Sequence, residues 1–264
     1  LAATAQTPAV PPLGAAASFG LLTGDSLTTD AVSAVRVFGQ TGVATTVRGP
    51  VWSSAGLLRP TTGSGAAVTN ALNALATARA ACSALSTQPL TGFTGQTLTG
   101  GAYTLTGNAT LNGGTAVVLS GDTASRFVIT VTGNLTLATG ARVRLQGVRP
   151  DHVYWNVGGN VVAAGNTTLP GVLLAGGSVA LNGLRFGTTA VLAAGALTLQ
   201  NLRNQETDGS GEFYAPTTLR QMALLGTPPC APLPVCNLVR NGDFEVMTSL
   251  VPGQPAPTQF SNIN

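Results

Sequence analysis

The side chains that could do chemistry are few and scattered in this chain of 264 residues. His152 is the only histidine, beside Asp151 and just before an aromatic strand, where we expect a hydrogen-bonded structural imidazole. No His-Glu-x-x-His, Gly-x-Ser-x-Gly, Cys-x-x-Cys or phosphate-loop motif is present. The acidic, Gly-rich loop 208–212 could ligate calcium, but an ordinary exposed loop is the simpler interpretation. We therefore predict no enzyme, no cofactor and no metal site.

Cysteine usage is equally sparse. Cys230 and Cys236 lie close enough in sequence to close a small disulfide loop, which would leave Cys82 unpaired, but three free thiols fit the sequence almost as well. Cys82 falls on the apolar stripe of a predicted helix, so a buried, inert thiol is expected there.

The composition excludes several classes of protein. Charged residues make up 8% of the chain, against about 25% in average soluble domains. Threonine (37 residues) and glycine (34) are abundant, and all 12 basic residues are arginines. The arginines are scattered rather than clustered, so nucleic-acid binding is not expected. No uninterrupted apolar run reaches the length of about 18 residues that a membrane helix needs, so no membrane span is predicted. Few charges, no lysine and many threonines are typical of an extracellular or cell-surface protein.

An internal repeat is the strongest structural signal. The segment 173–181 superposes on 191–199 when the sequence is shifted by 18. Similar short strands begin at Leu197, Val179, Val161, Leu135 and Ala109, with steps of 18, 18, 26 and 26 between successive starts. The two longer steps fit the shorter coil with extra residues, placed around 121–122 and 146–150. Gly and Asn pairs mark the corners between strands.

This repeat predicts a mainly β protein, a right-handed triangular β-solenoid in which each coil makes three short sides. Coils stacked about 4.8 Å apart pair their backbones above and below, and small apolar side chains fill a narrow core. A β-sandwich also has many short strands, but it needs frequent hairpin turns and does not predict a self-match at the length of one coil. The solenoid is therefore favoured.

One long helix is predicted over about 64–86. Ser64 can cap its start and Pro89 ends it. Apolar residues recur at helical spacing at Val68, Ala71, Leu72, Leu75, Ala78, Cys82 and Leu85. A helix with one apolar stripe needs a packing partner, so we expect it along one side of the solenoid.

Composition divides the chain into three parts. Residues 1–12 form a Pro-containing linker or extended arm, 13–225 the solenoid with its helix, and 226–264 a Pro-rich linker with one strand-like segment. That segment is the start of a following domain or a docking strand. Its candidate assembly residues are Leu238, Val239, Phe244 and Val246.

Residues 13–202 resemble the ice-binding-protein-like family of secreted microbial proteins. The resemblance rests on the order along the chain of 13–28, the helix, 97–104, 126–130, 153–158 and 170–175. It implies a discontinuous triangular β-solenoid flanked by a long helix. A weaker likeness joins 237–246 to the first strand of carbohydrate-binding-like jelly rolls.

The resemblance also implies where ice would bind. Ice-binding members carry a Thr-(Ala/Gly)-x-(Thr/Asn) pattern on successive coils, and the matching positions here are 139–142, 164–167 and 182–185. The candidate face consists of Thr139, Ala141, Arg142, Asn166, Thr167, Leu184 and Arg185. Two of the three copies end in arginine, a long hydrated side chain that breaks a flat face. Other threonines, at 104, 106 and 110 and at 130, 132 and 136, could form a second ladder, although threonine is also a common solvent-facing strand residue.

The departure from the pattern favours a secreted structural or adhesive module. In this main prediction the termini and open solenoid edges bind copies of the chain, as in a filament, or another cell-surface protein. The alternative prediction is a genuine ice-binding protein, with ice as the partner of a flat face bearing threonines.

Overall fold

Short parallel strands form the body of the protein, each stacked on the strand of the neighbouring coil. The computed structural model describes residues 8–30, 35–59, 65–183, 185–186, 189–204, 211–218 and 220. The chain divides into the units Leu1–Gly226 and Thr227–Asn264, and every described residue belongs to the first. The predicted disulfide (Cys230, Cys236) and the predicted assembly strand (Leu238, Val239, Phe244, Val246) lie outside the described residues.

The largest sheet has nine parallel strands, and we call it the covered sheet. In chain order its strands are β1 (Phe19–Thr23), β4 (Gln40–Val43), β7 (Leu57–Leu58), β8 (Gln88–Pro89), β10 (Gly101–Leu105), β13 (Phe127–Val131), β16 (Val153–Val157), β18 (Gly171–Ala175) and β21 (Thr189–Ala193). Their order in space is β7-β4-β1-β21-β18-β16-β13-β10-β8. Most of its central strands are buried on both faces, so both sides of this sheet are packed against protein.

The second sheet has seven parallel strands, and we call it the open sheet. Its strands are β2 (Leu27–Thr29), β5 (Val47–Arg48), β11 (Ala109–Leu111), β14 (Leu135–Leu137), β17 (Val161–Ala163), β19 (Val179–Asn182) and β22 (Leu197–Gln200). They lie in the order β11-β14-β17-β19-β22-β2-β5. The first and third residues of the central strands are buried and the middle residue faces outward, the alternation expected when one face is solvated.

The third side is divided among three small sheets. They consist of β9 (Thr97–Leu98), β12 (Ala116–Ser120) and β15 (Arg142–Gln146); of β20 (Arg185–Phe186) and β23 (Arg203–Asn204); and of β3 (Val35–Phe38), β6 (Val51–Ser53) and β24 (Gly211–Tyr214). All strand pairs between described residues are parallel. This arrangement confirms the predicted β-solenoid and excludes the hairpins of a β-sandwich.

The predicted strand starts are paired as the repeat requires. Ala109 lies opposite Leu135, which lies opposite Val161, and the same row continues through Val179 to Leu197. The next partner of Leu197 is Leu27, from the start of the chain. The first coil in the sequence therefore stacks directly on the last one. The order of coils in space differs from their order in the sequence, as the family resemblance implies.

Helix α1 (Gly65–Ser83) connects the two ends of the stack and lies along the outer face of the covered sheet. Its buried stripe is Val68, Ala71, Leu75, Ala78 and Cys82, with Leu72 and Leu85 partly buried against the same cluster. The helix packs on outward residues of the covered sheet such as Val128, Val172 and Leu174. The predicted helix and its apolar face are thus confirmed, with the described helix ending at Ser83. The predicted cap, Ser64, lies outside the described residues.

Inward side chains from all three sides form the core of the solenoid. Trp155 is fully buried there, its ring in edge contact with Phe93 at 6.0 Å between centroids. Its indole Nε1 donates a hydrogen bond to the carbonyl oxygen of Pro170 at 3.0 Å. Most other core residues are Val, Leu and Ala, because a narrow prism has little space for rings.

Candidate functional site

The open sheet presents one continuous row of outward side chains. In spatial order the row is Thr110, Thr136, Val162, Ala180, Thr198, Thr28 and Arg48, each opposite the next across a strand pair. Neighbouring parallel strands lie about 4.8 Å apart, so the row repeats at that interval. The residues that precede Arg48 in this row are all small and uncharged. The only charge in the row is therefore at its end.

A second row of outward positions borders the first. It follows each strand through Asn112, Ala138, Ala164, Asn182 and Gln200, all exposed or half-buried. Asn182 and Gln200 are opposite each other in register. These side chains are also uncharged, so across five successive coils the outer surface of the open sheet carries no ionised group.

A ladder of side-chain hydrogen bonds stabilises the corner where the covered sheet turns into the open sheet. The Oδ1 atom of Asn108 accepts from the backbone N–H of Asn134, and Asn134 Oδ1 accepts in turn from Asn160 N–H, at 2.9 and 2.7 Å. In the next step of the ladder, Asn160 Oδ1 accepts a hydrogen bond from the backbone N–H of Ser178 at 2.8 Å. Each coil thus holds the next at a fixed height, and the open sheet begins from a regular edge.

Glycine is required beside this ladder. A Cβ atom at Gly159 would clash with Asn134 Oδ1, and one at Gly177 would clash with Asn160 Oδ1. The Gly-Asn pairs seen in the sequence therefore have two separate functions. The asparagine makes the hydrogen bond, and the glycine leaves space for the asparagine of the preceding coil.

The other two sides have different chemistry. The covered sheet is occupied by helix α1, and its outward Thr130 is only 6% exposed. The third side has Arg142 and Arg144 exposed on β15 and Trp52 exposed on β6. Only the open sheet, among the described parts of the three sides, combines exposure, regular register and, over five successive coils, absence of charge.

The structure corrects the candidate face predicted from the sequence pattern. Ala141 and Thr167 are fully buried, so neither can contribute to a surface, and Thr167 is the threonine on which the pattern relied. Thr139 and Asn166 are exposed, and Arg142 is exposed at the start of β15. Leu184 and the side chain of Arg185 lie outside what the structure describes. The pattern positions follow the open-sheet strands and form the corner that leads to the third side, where alternate residues turn inward.

The arginines that end two copies of the pattern therefore do not lie on the open sheet and do not interrupt its flat surface. Arg142 starts a strand of the third side, and Arg185 lies in β20 of the same side. Of the second group of threonines, Thr110 and Thr136 are opposite each other and exposed on the open sheet. Thr104 and Thr130 are also opposite each other, but on the covered sheet.

The sequence also carries a signal for the open-sheet row, outside the Thr-(Ala/Gly)-x-(Thr/Asn) pattern. In three of the short strands a threonine lies between two apolar residues, as in Ala-Thr-Leu at 109–111 and Leu-Thr-Leu at 135–137 and 197–199. That alternation marks Thr198 as outward together with Thr110 and Thr136, but it does not mark Thr28, which lies between Leu27 and Thr29. The outward orientation of Val162 and Ala180 could not be predicted in this way, because an apolar residue in a short strand is normally expected to face the core.

Comparison with known proteins identifies the family of this chain and structures with a similar fold. The model of the Ice-binding-like family matches residues 12–204, most of the chain. The chain belongs to that family. Its fold is similar to the crystal structure of an ice-binding protein from an Antarctic biological consortium, with a TM-score of 0.64, 24% identity and coverage of 81% of this chain and 94% of the other.

Two eukaryotic structures are also similar. An ice-binding protein from the Antarctic ascomycete Antarctomyces psychrotrophicus gives a TM-score of 0.63 at 24% identity, over 77% of this chain and 97% of that one. A glycosylated ice-binding protein from an Arctic yeast gives 0.62 at 20% identity, over 80% and 96%. No curated protein matches the chain significantly.

These findings confirm the predicted family and fold. They do not support the main prediction of a structural or adhesive module, and they agree better with the alternative, an ice-binding protein. The family and the structural neighbours are ice-binding proteins rather than enzymes. Within the described residues, no three His, Cys, Asp or Glu side chains are grouped to hold a metal ion. No described helix has the length and hydropathy needed to cross a membrane.

Proposed function

We propose that this protein binds ice through the outer surface of the open sheet. The observation that supports the proposal is the uncharged, in-register row from Thr110 to Thr28 on six neighbouring strands. Membership of the Ice-binding-like family also supports the proposal.

The chemistry of the row suits a water lattice. Threonine has a methyl group beside a hydroxyl, so it can hold ordered water without orienting that water around a charge. Its branched side chain has few rotamers and loses little entropy on binding. Val162, which is 49% exposed at the centre of the row, adds apolar surface in the same register. A repeat set by strand spacing, near the repeat of ice, lets many weak contacts act together.

The proposed function is non-enzymatic and extracellular. An extracellular location is supported by the scarcity of charge and the absence of lysine, and by the need of an ice-binding protein to meet ice outside the cell.

Partition of the protein into slowly growing ice tests the proposal. Purified protein is mixed with a non-binding reference protein, and both are measured in the ice and in the remaining liquid. The variant Thr136→Tyr places a bulky ring on the row, and Thr97→Tyr makes the same change at an exposed position on the third side.

We expect the unmodified protein and Thr97→Tyr to be enriched in ice. Thr136→Tyr should be excluded from ice like the reference protein, because one projecting ring separates the neighbouring threonines from the lattice. Equal enrichment of Thr136→Tyr and the unmodified protein would remove the open sheet as the binding surface. Exclusion of the unmodified protein from the ice would contradict the proposal that it binds ice.

A further inference from the structure

A cationic pocket lies at the corner where the third side turns into the covered sheet. It has a volume of about 220 Å³, and its polar lining consists of Arg126, Arg149, Asp151, His152, Tyr154 and Arg220. In a three-sided prism this corner is opposite the open sheet. Nothing in the proposed ice-binding surface uses these residues.

Two adjacent coils supply most of the lining of the pocket, and residues from the two ends of the solenoid segment complete it. Phe127 and Val153 are opposite each other in β13 and β16, so the preceding residues, Arg126 and His152, come from adjacent coils at the same end of the covered sheet. Arg149 precedes the short 3-10 helix Pro150–His152. Arg149 lies among the extra residues around 146–150, which the shorter coils lack.

Positive charge exceeds negative charge in the pocket. Arg149 and the buried Asp151 form a bidentate ion pair, with Nε to Oδ1 at 3.0 Å and Nη2 to Oδ2 at 2.9 Å. Arg126 and Arg220 form no ion pair with any residue that the structure describes. The single carboxylate of the pocket is therefore paired with one guanidinium group. The other two guanidinium groups have no described carboxylate partner and are available to a ligand.

Two polar atoms of the pocket, one of them on Arg126, can donate hydrogen bonds to a ligand. The Nε atom of Arg126 is buried without a hydrogen-bond partner among the described residues, an arrangement that destabilises a protein unless an acceptor binds. Burial raises the pKa of Tyr154 to about 12, so its phenol keeps its proton and can donate. Burial is also the main cause that lowers the pKa of His152, with Arg149 and Arg126 acting in the same direction and Asp151 opposing.

We propose that this pocket binds a tetrahedral oxyanion, a sulfate or phosphate group. Guanidinium groups are planar donors that match such oxygens, and the two without a carboxylate partner among the described residues, those of Arg126 and Arg220, come from different segments of the chain. A group with four oxygens can accept from several directions at once, as this arrangement requires. The same chemistry is offered by the free anion and by an ester group on an anionic polysaccharide, and the cavity is open to either.

Calorimetric titration of the full chain with sodium sulfate, at constant ionic strength with chloride as the reference, tests the proposal. Arg126→Gln and Arg220→Gln each remove a guanidinium from the pocket. The control, Arg144→Gln, removes one from the exposed third side. A parallel titration with dextran sulfate distinguishes an ester group from the free ion. Arg220 is exposed, so its replacement keeps the test decisive if Arg126→Gln does not fold.

We expect sulfate to bind the unmodified protein, with affinity reduced about tenfold by Arg126→Gln, as a lost charge-assisted hydrogen bond implies. Arg220→Gln should weaken binding several-fold and Arg144→Gln less than twofold. If only dextran sulfate binds, and binds with the same dependence on Arg126 and Arg220, the ester group is the ligand. The proposal is overturned if neither probe binds, or if Arg144→Gln weakens binding as much as the pocket variants.

Discussion

Thr110 and Thr136 lie directly opposite each other in two parallel strands of the open sheet, and both side chains are exposed. Thr104 and Thr130 have the same spacing along the chain and are also opposite each other, but on the covered sheet. There Thr130 is 6% exposed, and its hydroxyl has no hydrogen-bond partner among the described residues. Identical residues at identical spacing thus differ because helix α1 covers one sheet and leaves the other open.

The asparagine ladder should contribute measurably to stability. Asn134→Ala removes the acceptor for the N–H of Asn160 at 2.7 Å, so we expect the free energy of unfolding to fall by about 1 kcal/mol. Asn112→Ala is the matched control, because the Asn112 side chain is exposed and makes no hydrogen bond within the described chain. Denaturant titration measures both, and equal losses would show that the ladder contributes nothing specific.

The attachment of helix α1 should depend on its buried stripe. Leu75 is 1% exposed against the covered sheet, whereas Leu72 is only partly buried. Leu75→Ala should lower the free energy of unfolding by about 2–5 kcal/mol, the usual range for a buried leucine, and Leu72→Ala by distinctly less. Thermal or denaturant unfolding gives both values. A larger loss for Leu72→Ala would contradict the packing of the helix.

Cys82 should be chemically inert in the folded protein. The thiol is fully buried, and burial raises its pKa to about 12, with only partial opposition from Arg79. In a variant carrying Cys230→Ser and Cys236→Ser, Cys82 is the single thiol. An aromatic disulfide reagent at pH 8 should react with it at least a hundredfold more slowly in buffer than in denaturant, since the thiolate is the reactive form. Similar rates in both solutions would contradict its burial.

Stability should also fall at high pH, and the raised pKa values set the window. The pKa of Cys82 rises from 9.0 to about 12 on folding and that of Tyr154 from 10.0 to about 12. The unfolded chain therefore loses these protons first, and the folded state is progressively disfavoured as pH rises from 9 through 12. Denaturant titrations across this range should show less loss in Cys82→Ala than in the unmodified protein. An identical pH dependence would exclude Cys82 as a contributor.

Much of the fold followed from the sequence because stacked coils must repeat. The predicted strand starts from Ala109 to Leu197 are all in register, since each coil adds the same three sides. The pairing of Leu27 with Leu197 joins the first coil in the sequence to the last. No local pattern could predict that pairing, and only the family resemblance implied a discontinuous stack.

The candidate site was predicted less well, for a geometrical reason. A short pattern that crosses a corner does not state which residue turns inward, and Thr167 turned inward although threonine usually faces solvent. Val162 and Ala180 gave the opposite error, since they are apolar yet lie outward on the open sheet. Orientation in a short strand depends on the neighbouring coils, and residue type alone does not determine it.

Thermal hysteresis of two matched glutamate variants tests the central claim most directly. Val162→Glu places a hydrated carboxylate at the centre of the open-sheet row. Val118→Glu makes the same change on the third side, opposite Arg144. Both positions face outward, so both variants should keep the melting temperature of the unmodified protein within a few degrees. We expect the gap between melting and freezing of an ice crystal to persist in Val118→Glu and to disappear in Val162→Glu. An undiminished gap in Val162→Glu would contradict ice binding by the open sheet.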